Sequence, residues 1–152
     1  ATEEEVEMAN AERRAHVVWE GDLPGGNGRL TADSSKVLEE VPVTWASRVE
    51  RPDGKTSPEE LIAAAHASCY SMAFSNVLAQ KDAPPVRLEV EAVATFDADQ
   101  VKITTVDLNV RGEVPGMSDE EFEAAAHEAD QGCPVSNALR NNVEIRLNTS
   151  LG

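Results

Sequence analysis

From Leu61 to Gln80 the chain runs for twenty residues without a formal charge, and this stretch constrains the fold more than any other. It is introduced by Ser57-Pro58-Glu59-Glu60, which puts Ser at the N-cap, Pro at the first helical position and Glu at the third. That is a capping box with a helix-compatible proline. The residues that follow, Leu61-Ile62-Ala63-Ala64-Ala65-His66-Ala67-Ser68-Cys69-Tyr70 and onward, are apolar or small on nearly every side. A helix of this kind is predicted to be buried all round, either inside one domain or between two subunits. Lys81-Asp82-Ala83 and then Pro84-Pro85 end it, because consecutive prolines cannot continue a helix.

Around this helix the pattern is that of strands. Ala15 to Trp19 reads as a strand, and the glycine-rich turn Gly25-Gly26-Asn27-Gly28 returns the chain into Arg29-Leu30-Thr31. The glycine spacing is too short for a nucleotide loop, so a hairpin is expected. A third strand is predicted over 41–49, with Pro42 marking an edge or a strand end. After the helix, Val86, Leu88, Val90, Ala92, Ala94 and Phe96 alternate with polar residues, giving one buried and one wet face. The return strand slips its apolar phase between Ile103 and Val106, which predicts a bulge. Ser118-Asp119-Glu120-Glu121 is a second capping box, opening a helix to about Gln131, with Gly132 as its stop. Cys133-Pro134 starts a short helix through Leu139, and Val143, Ile145 and Leu147 alternate as a final strand. The order β-β-β-α-β-β-α-α-β predicts an α+β domain of antiparallel hairpins over residues 13–152, preceded by an acidic, solvated arm at 1–12.

With 152 residues, 41% of them apolar, there is enough material for a single hydrophobic core. Uninterrupted apolar stretches are only a few residues long and no basic segment precedes an apolar run, so the expectation is a cytoplasmic protein without a membrane span. The net charge of -15 is spread along the whole chain, so no basic face hides behind an acidic tail. Nucleic acid and anionic membranes would be repelled, and neither is expected as a partner. The three histidines His16, His66 and His127 and the two cysteines form no metal-ligand spacing, so no metal and no cofactor is predicted.

The chemistry rests on the two thiols. Cys69 lies mid-helix among apolar neighbours, where burial alone makes a thiol unreactive. To act as a nucleophile it needs a nearby cation, and its own helix offers only His66, three residues earlier on the same face. Cys133 precedes Pro134 and so stands at a helix start, where the helix dipole favours a thiolate. On first principles it is the easier of the two to activate, a packed or capping thiol being the equal alternative. Spacing in the sequence leaves open whether the two sulfurs meet. His66 is read as a core histidine, His127 as a surface residue, Trp19 and Trp45 as packing residues, and Glu120 and Glu121 as helix-capping groups.

Ser57 to Cys69 resembles the central-helix motif of the OsmC/Ohr family of organic hydroperoxide peroxidases, and Gly132-Cys133-Pro134-Val135-Ser136-Asn137-Ala138-Leu139 resembles that family's second-cysteine motif. Val18-Trp19-Glu20-Gly21-Asp22 is similar to the start of the OsmC branch, and the likeness extends over roughly residues 13–149. The resemblance implies antiparallel sheets around a buried central helix and an intertwined homodimer with its sites at the subunit interface. It implies that Cys69 attacks an organic hydroperoxide, that Cys133 resolves the product as a disulfide, and that an external dithiol such as a lipoylated protein reduces it. Glu59 matches the family's catalytic glutamate, and the family's arginine maps onto Arg48, with Arg51 and Arg29 as further candidates. A guanidinium from the segment before the helix would supply the charge that an uncharged helix lacks. Glu59 and Cys69, ten residues apart, lie ~15 Å apart on an unbroken helix, so either the helix breaks or Glu59 serves the partner subunit's site, and the second is the expectation. The alternative reading is a redox-sensing or hydrophobe-binding dimer whose thiols react once.

Overall fold

The computed structural model describes residues 10–152, in two compact units that meet in sequence at Ser57/Pro58. Most of the expected acidic arm falls outside the described residues; its last part, residues 10–12, is exposed.

The first unit holds a three-stranded antiparallel sheet of β1 (His16–Glu20), β2 (Asn27–Thr31) and β3 (Val41–Val43), in that order. The hairpin between β1 and β2 forms as its glycines predict. A Cβ at Gly28 would stand 3.0 Å from the Trp19 ring, so the indole packs closely on a residue that has no side chain. The third strand is much shorter than its apolar pattern suggested. After Val43, Thr44 caps a one-and-a-half-turn helix, α1 (Trp45–Val49), through a reciprocal box with Ser47. Thr44 Oγ1 accepts from the Ser47 N–H at 3.0 Å and Ser47 Oγ accepts from the Thr44 N–H at 3.0 Å. Capping chemistry overrides the strand pattern here, and Ser in place of the usual Glu or Gln concealed it.

The second unit is built on the predicted helix, α2 (Pro58–Gln80), an unbroken run of 23 residues. It is followed by β4 (Arg87–Asp97), β5 (Lys102–Glu113), α3 (Asp119–Gln131), α4 (Pro134–Leu139) and β6 (Glu144–Leu151). The phase slip in β5 is a bulge. Thr95 pairs with Thr105 while Phe96 pairs with Ile103, which leaves Thr104 as the extra residue. The capping box at Ser118 forms with Glu121. Gly132 ends α3 at φ -97, a conformation open to any residue, so glycine is not required there.

The sheet order is β4-β5-β6, and one expectation is corrected: β4 and β5 are antiparallel, but β5 and β6 run parallel. The chain between β5 and β6 spends α3 and α4 on a crossover, which brings β6 back in the direction of β5. One sheet face carries Val106, Leu108 and Val110, all essentially buried, with Leu88, Val90, Ala92, Ile145 and Leu147 beside them. Helices α2 and α3 supply the rest of that core. Phe74 packs its ring 4.9 Å from Phe122 and 5.7 Å from Tyr70. At Gly112 a Cβ would come within 2.5 Å of the Phe122 ring, so glycine is what lets α3 close on the sheet.

The long helix also departs from the sequence reading. It is long and apolar enough to cross a membrane by length and composition. Its side chains His66, Tyr70, Phe74, Val77 and Leu78 are instead buried in the core, a stripe at helical spacing. Nor is it buried all round within one chain. Ala64, Ala65, Ser68, Ser75 and Asn76 are exposed, and Met72 is 72% exposed.

Candidate active site

The two cysteines come together within the second unit. Cys69 is half-buried on α2, and Cys133 is fully buried as the N-cap of α4; both are free thiols. Pro134 fixes the first turn of α4, so the Ser136 N–H points back and donates to Cys133 Sγ at 3.5 Å. Cys69 and Cys133 interact directly through their side chains. Burial pushes the Cys69 thiol above its ordinary range; the backbone of Val135 pulls the other way, and Cys133 pushes it further up.

Beside the thiols lies a set of buried polar groups, of which the sequence reading singles out only His66. His66 Nε2 is 2.7 Å from Ser136 Oγ, while His66 Nδ1 has no hydrogen-bond partner among the described residues. Burial depresses the imidazole pKa and the nearby Asp130 carboxylate opposes that shift, so His66 is only half satisfied as a core histidine. Tyr70 donates its hydroxyl to the Ala126 carbonyl at 2.8 Å; its phenol is held above its usual range by burial, by Asp130 and by Cys133. Arg140 reaches Asp130 twice, from Nη1 to Oδ2 at 3.1 Å and from Nη2 to the backbone oxygen at 3.0 Å. This ties the end of α3 to the end of α4, with Cys133 in the connection between them.

The remaining predicted residues are placed as follows. Glu59 is buried, in the first turn of α2. Because α2 is unbroken, the helical rise keeps Glu59 and Cys69 ~15 Å apart in one chain. Arg48 lies on α1, its guanidinium carbon 5.9 Å from the centre of the Trp45 ring, so Trp45 is a cation–π platform as well as a packing residue. Arg51 is exposed, and Arg29 is engaged by Glu20 at 2.8 Å. Glu121 is held below the ordinary carboxylate range by the Ser118 backbone it caps, and His127 is an exposed residue 4.0 Å from Glu123.

The family model described as OsmC-like protein matches residues 51–148, which includes both cysteine motifs. The chain belongs to the OsmC-like family. It is 34% identical over 135 residues to the peroxiredoxin OsmC of Escherichia coli K12, covering 88% of this chain and 93% of that protein. With the organic hydroperoxide resistance protein OhrA of Bacillus subtilis it shares 33% identity over 127 residues, covering 81% and 88%. The crystal structure of OhrB of Bacillus subtilis has the same fold, with a TM-score of 0.66 at 22% identity over 90% of this chain and 98% of that one. The α+β class and the family expected from the motifs are therefore those observed.

The sequence reading assigns no role to Ser136, Tyr70, Asp130 or Arg140. Ser136 carried a usable signal, since it stands three residues after Cys133 and one turn into a proline-started helix. Asp130 and Arg140, ten residues apart across a helix break, carried none.

Proposed function

We propose that this OsmC-like protein is a cysteine-based peroxidase that reduces organic hydroperoxides to alcohols in oxidative stress defence. The observation that carries the reading is the side-chain contact between Cys69, accessible enough to meet a substrate, and Cys133, buried behind it. The names of its relatives, a peroxiredoxin and an organic hydroperoxide resistance protein, point the same way. Cys69 as thiolate attacks the distal oxygen of the hydroperoxide; the O–O bond breaks, the alkoxide leaves as alcohol once protonated, and the sulfur becomes a sulfenic acid. Cys133 then attacks that sulfur, water leaves, and a Cys69–Cys133 disulfide remains. An external dithiol, a lipoylated protein being the fitting class, takes over the disulfide and restores both thiols.

Arg48 supplies the charge that holds Cys69 as thiolate, and a guanidinium bonded to a carboxylate is itself held in place. Glu59 is that carboxylate, acting across a homodimer because it cannot reach the cysteine of its own helix. Apolar neighbours around Cys69 favour an organic hydroperoxide over hydrogen peroxide. Consumption of cumene hydroperoxide with dihydrolipoamide or dithiothreitol tests the reading: many turnovers are expected from wild type and none from Cys69→Ser. A single turnover by the wild type would instead fit a sensor or a hydrophobe-binding protein, and loss only in Cys133→Ser would reverse the roles of the two thiols.

A further inference from the structure

Ser136 makes two contacts, one from its backbone and one from its side chain. Its backbone N–H reaches Cys133 Sγ at 3.5 Å, and its hydroxyl meets His66 Nε2 at 2.7 Å. His66 stands one helical turn before Cys69 on α2 and on the same face. The contacts therefore close a ring: from Cys69 to His66 along the helix, from His66 to Ser136 between helices, from Ser136 to Cys133 within the turn, and from Cys133 back to Cys69. His66, Cys133 and Ser136 are each fully buried.

A histidine is a costly choice for this position. Its Nδ1 is buried without a partner among the described residues, a desolvation penalty that Leu or Phe would avoid while filling similar space. What histidine brings that neither of these can is the bond to Ser136. We propose that His66 and Ser136 are positioning residues, which hold the Cys133 sulfur against Cys69 so that the two close to a disulfide. Burial keeps the imidazole neutral, so the pair acts through geometry and brings no charge to the sulfur. Under the peroxidase reading, on which its biological use rests, this arrangement commits the Cys69 sulfenic acid to the disulfide before a second hydroperoxide can carry it to the sulfinic acid.

The test needs no hydroperoxide. Wild type, His66→Leu, His66→Gln and Ser136→Ala are equilibrated in glutathione buffers, where the two protein thiols lose two electrons and two protons to oxidised glutathione, which leaves as two thiols. The disulfide fraction is read by mass spectrometry after alkylation. His66→Leu and Ser136→Ala are each expected to lower the equilibrium constant for the disulfide about tenfold, the size of one lost hydrogen bond. His66→Gln, whose amide reaches as far as the imidazole Nε2, restores most of it. Ser136→Ala removes a single oxygen and carries the test should His66→Leu fail to fold. Constants for both variants within about twofold of wild type, below the effect of one hydrogen bond, overturn the proposal, as does a wild type that forms no Cys69–Cys133 disulfide. A wild type whose disulfide depends on the pair but which turns over no hydroperoxide supports it and sinks the peroxidase reading alone.

Discussion

Along α2, one face presents His66, Tyr70, Phe74, Val77 and Leu78 to the core of the chain, and the other presents Ala64, Ala65, Ser68, Met72, Ser75 and Asn76 to solvent. Neither face carries a charge, although the chain as a whole has a net charge of -15. The buried face is explained by its own chain: it stacks on the sheet and on Phe122 of α3. The exposed face is not, since a solvated helix face in so acidic a protein would be expected to carry Glu, Lys or Arg. The contrast supports the proposed homodimer: one face is what the chain needs in order to fold, and the other is what a second copy would cover. A homodimer through this face would put Cys69 at a subunit boundary, as the proposed function requires.

Substitutions on the two faces sharpen this contrast because they break different things. Phe74→Ala removes a ring packed between Tyr70 and Phe122. It is expected to cost about 3–5 kcal/mol of folding stability, measured by urea unfolding. Met72→Glu, two residues away on the open face, is expected to leave the fold intact, as seen by circular dichroism, and to shift the protein to monomer in analytical ultracentrifugation. Hydroperoxide turnover should be lost with it. A monomeric Met72→Glu that keeps full turnover would remove the case for Glu59 acting between subunits.

A smaller effect probes the buried face through pH. His66 is held below its ordinary value of 6.5 in the folded chain, chiefly by burial. As pH falls through 6.5 the unfolded chain takes up a proton that the folded chain refuses, so the unfolded state gains and stability drops. Thermal unfolding between pH 7 and 5 should therefore fall more steeply for wild type than for His66→Gln, which has nothing to titrate; equal slopes would mean that His66 is not held neutral.

Much of this architecture was legible because local signals agreed with one another. Ser118-x-x-Glu121 marked its helix, Pro134 marked the next, the phase slip at Ile103 located the bulge, and the uncharged run located α2. Where the reading failed, a second rule competed. The box at Thr44 ended β3 early despite an apolar pattern that continued, and the parallel pairing of β5 with β6 depended on a crossover that no residue encodes locally. The site divides in the same way. Motifs name Cys69, Cys133, Glu59 and Arg48 as candidates, whereas no motif names the polar groups packed with the two thiols. Links such as His66 to Ser136, seventy residues apart, exist only once α2 and α4 have packed.

The claim on which the rest depends is that Cys69 is the sulfur that attacks. Cys133→Ser can be treated with one equivalent of cumene hydroperoxide in the presence of a sulfenic-acid-trapping dione and examined by peptide mass spectrometry. The expected result is the dione adduct on Cys69 at close to full yield, with no adduct on Cys133 when Cys69→Ser is treated in the same way. Adduct on Cys133 in the Cys69→Ser protein, with Cys69 left unmodified in the Cys133→Ser protein, would contradict the account.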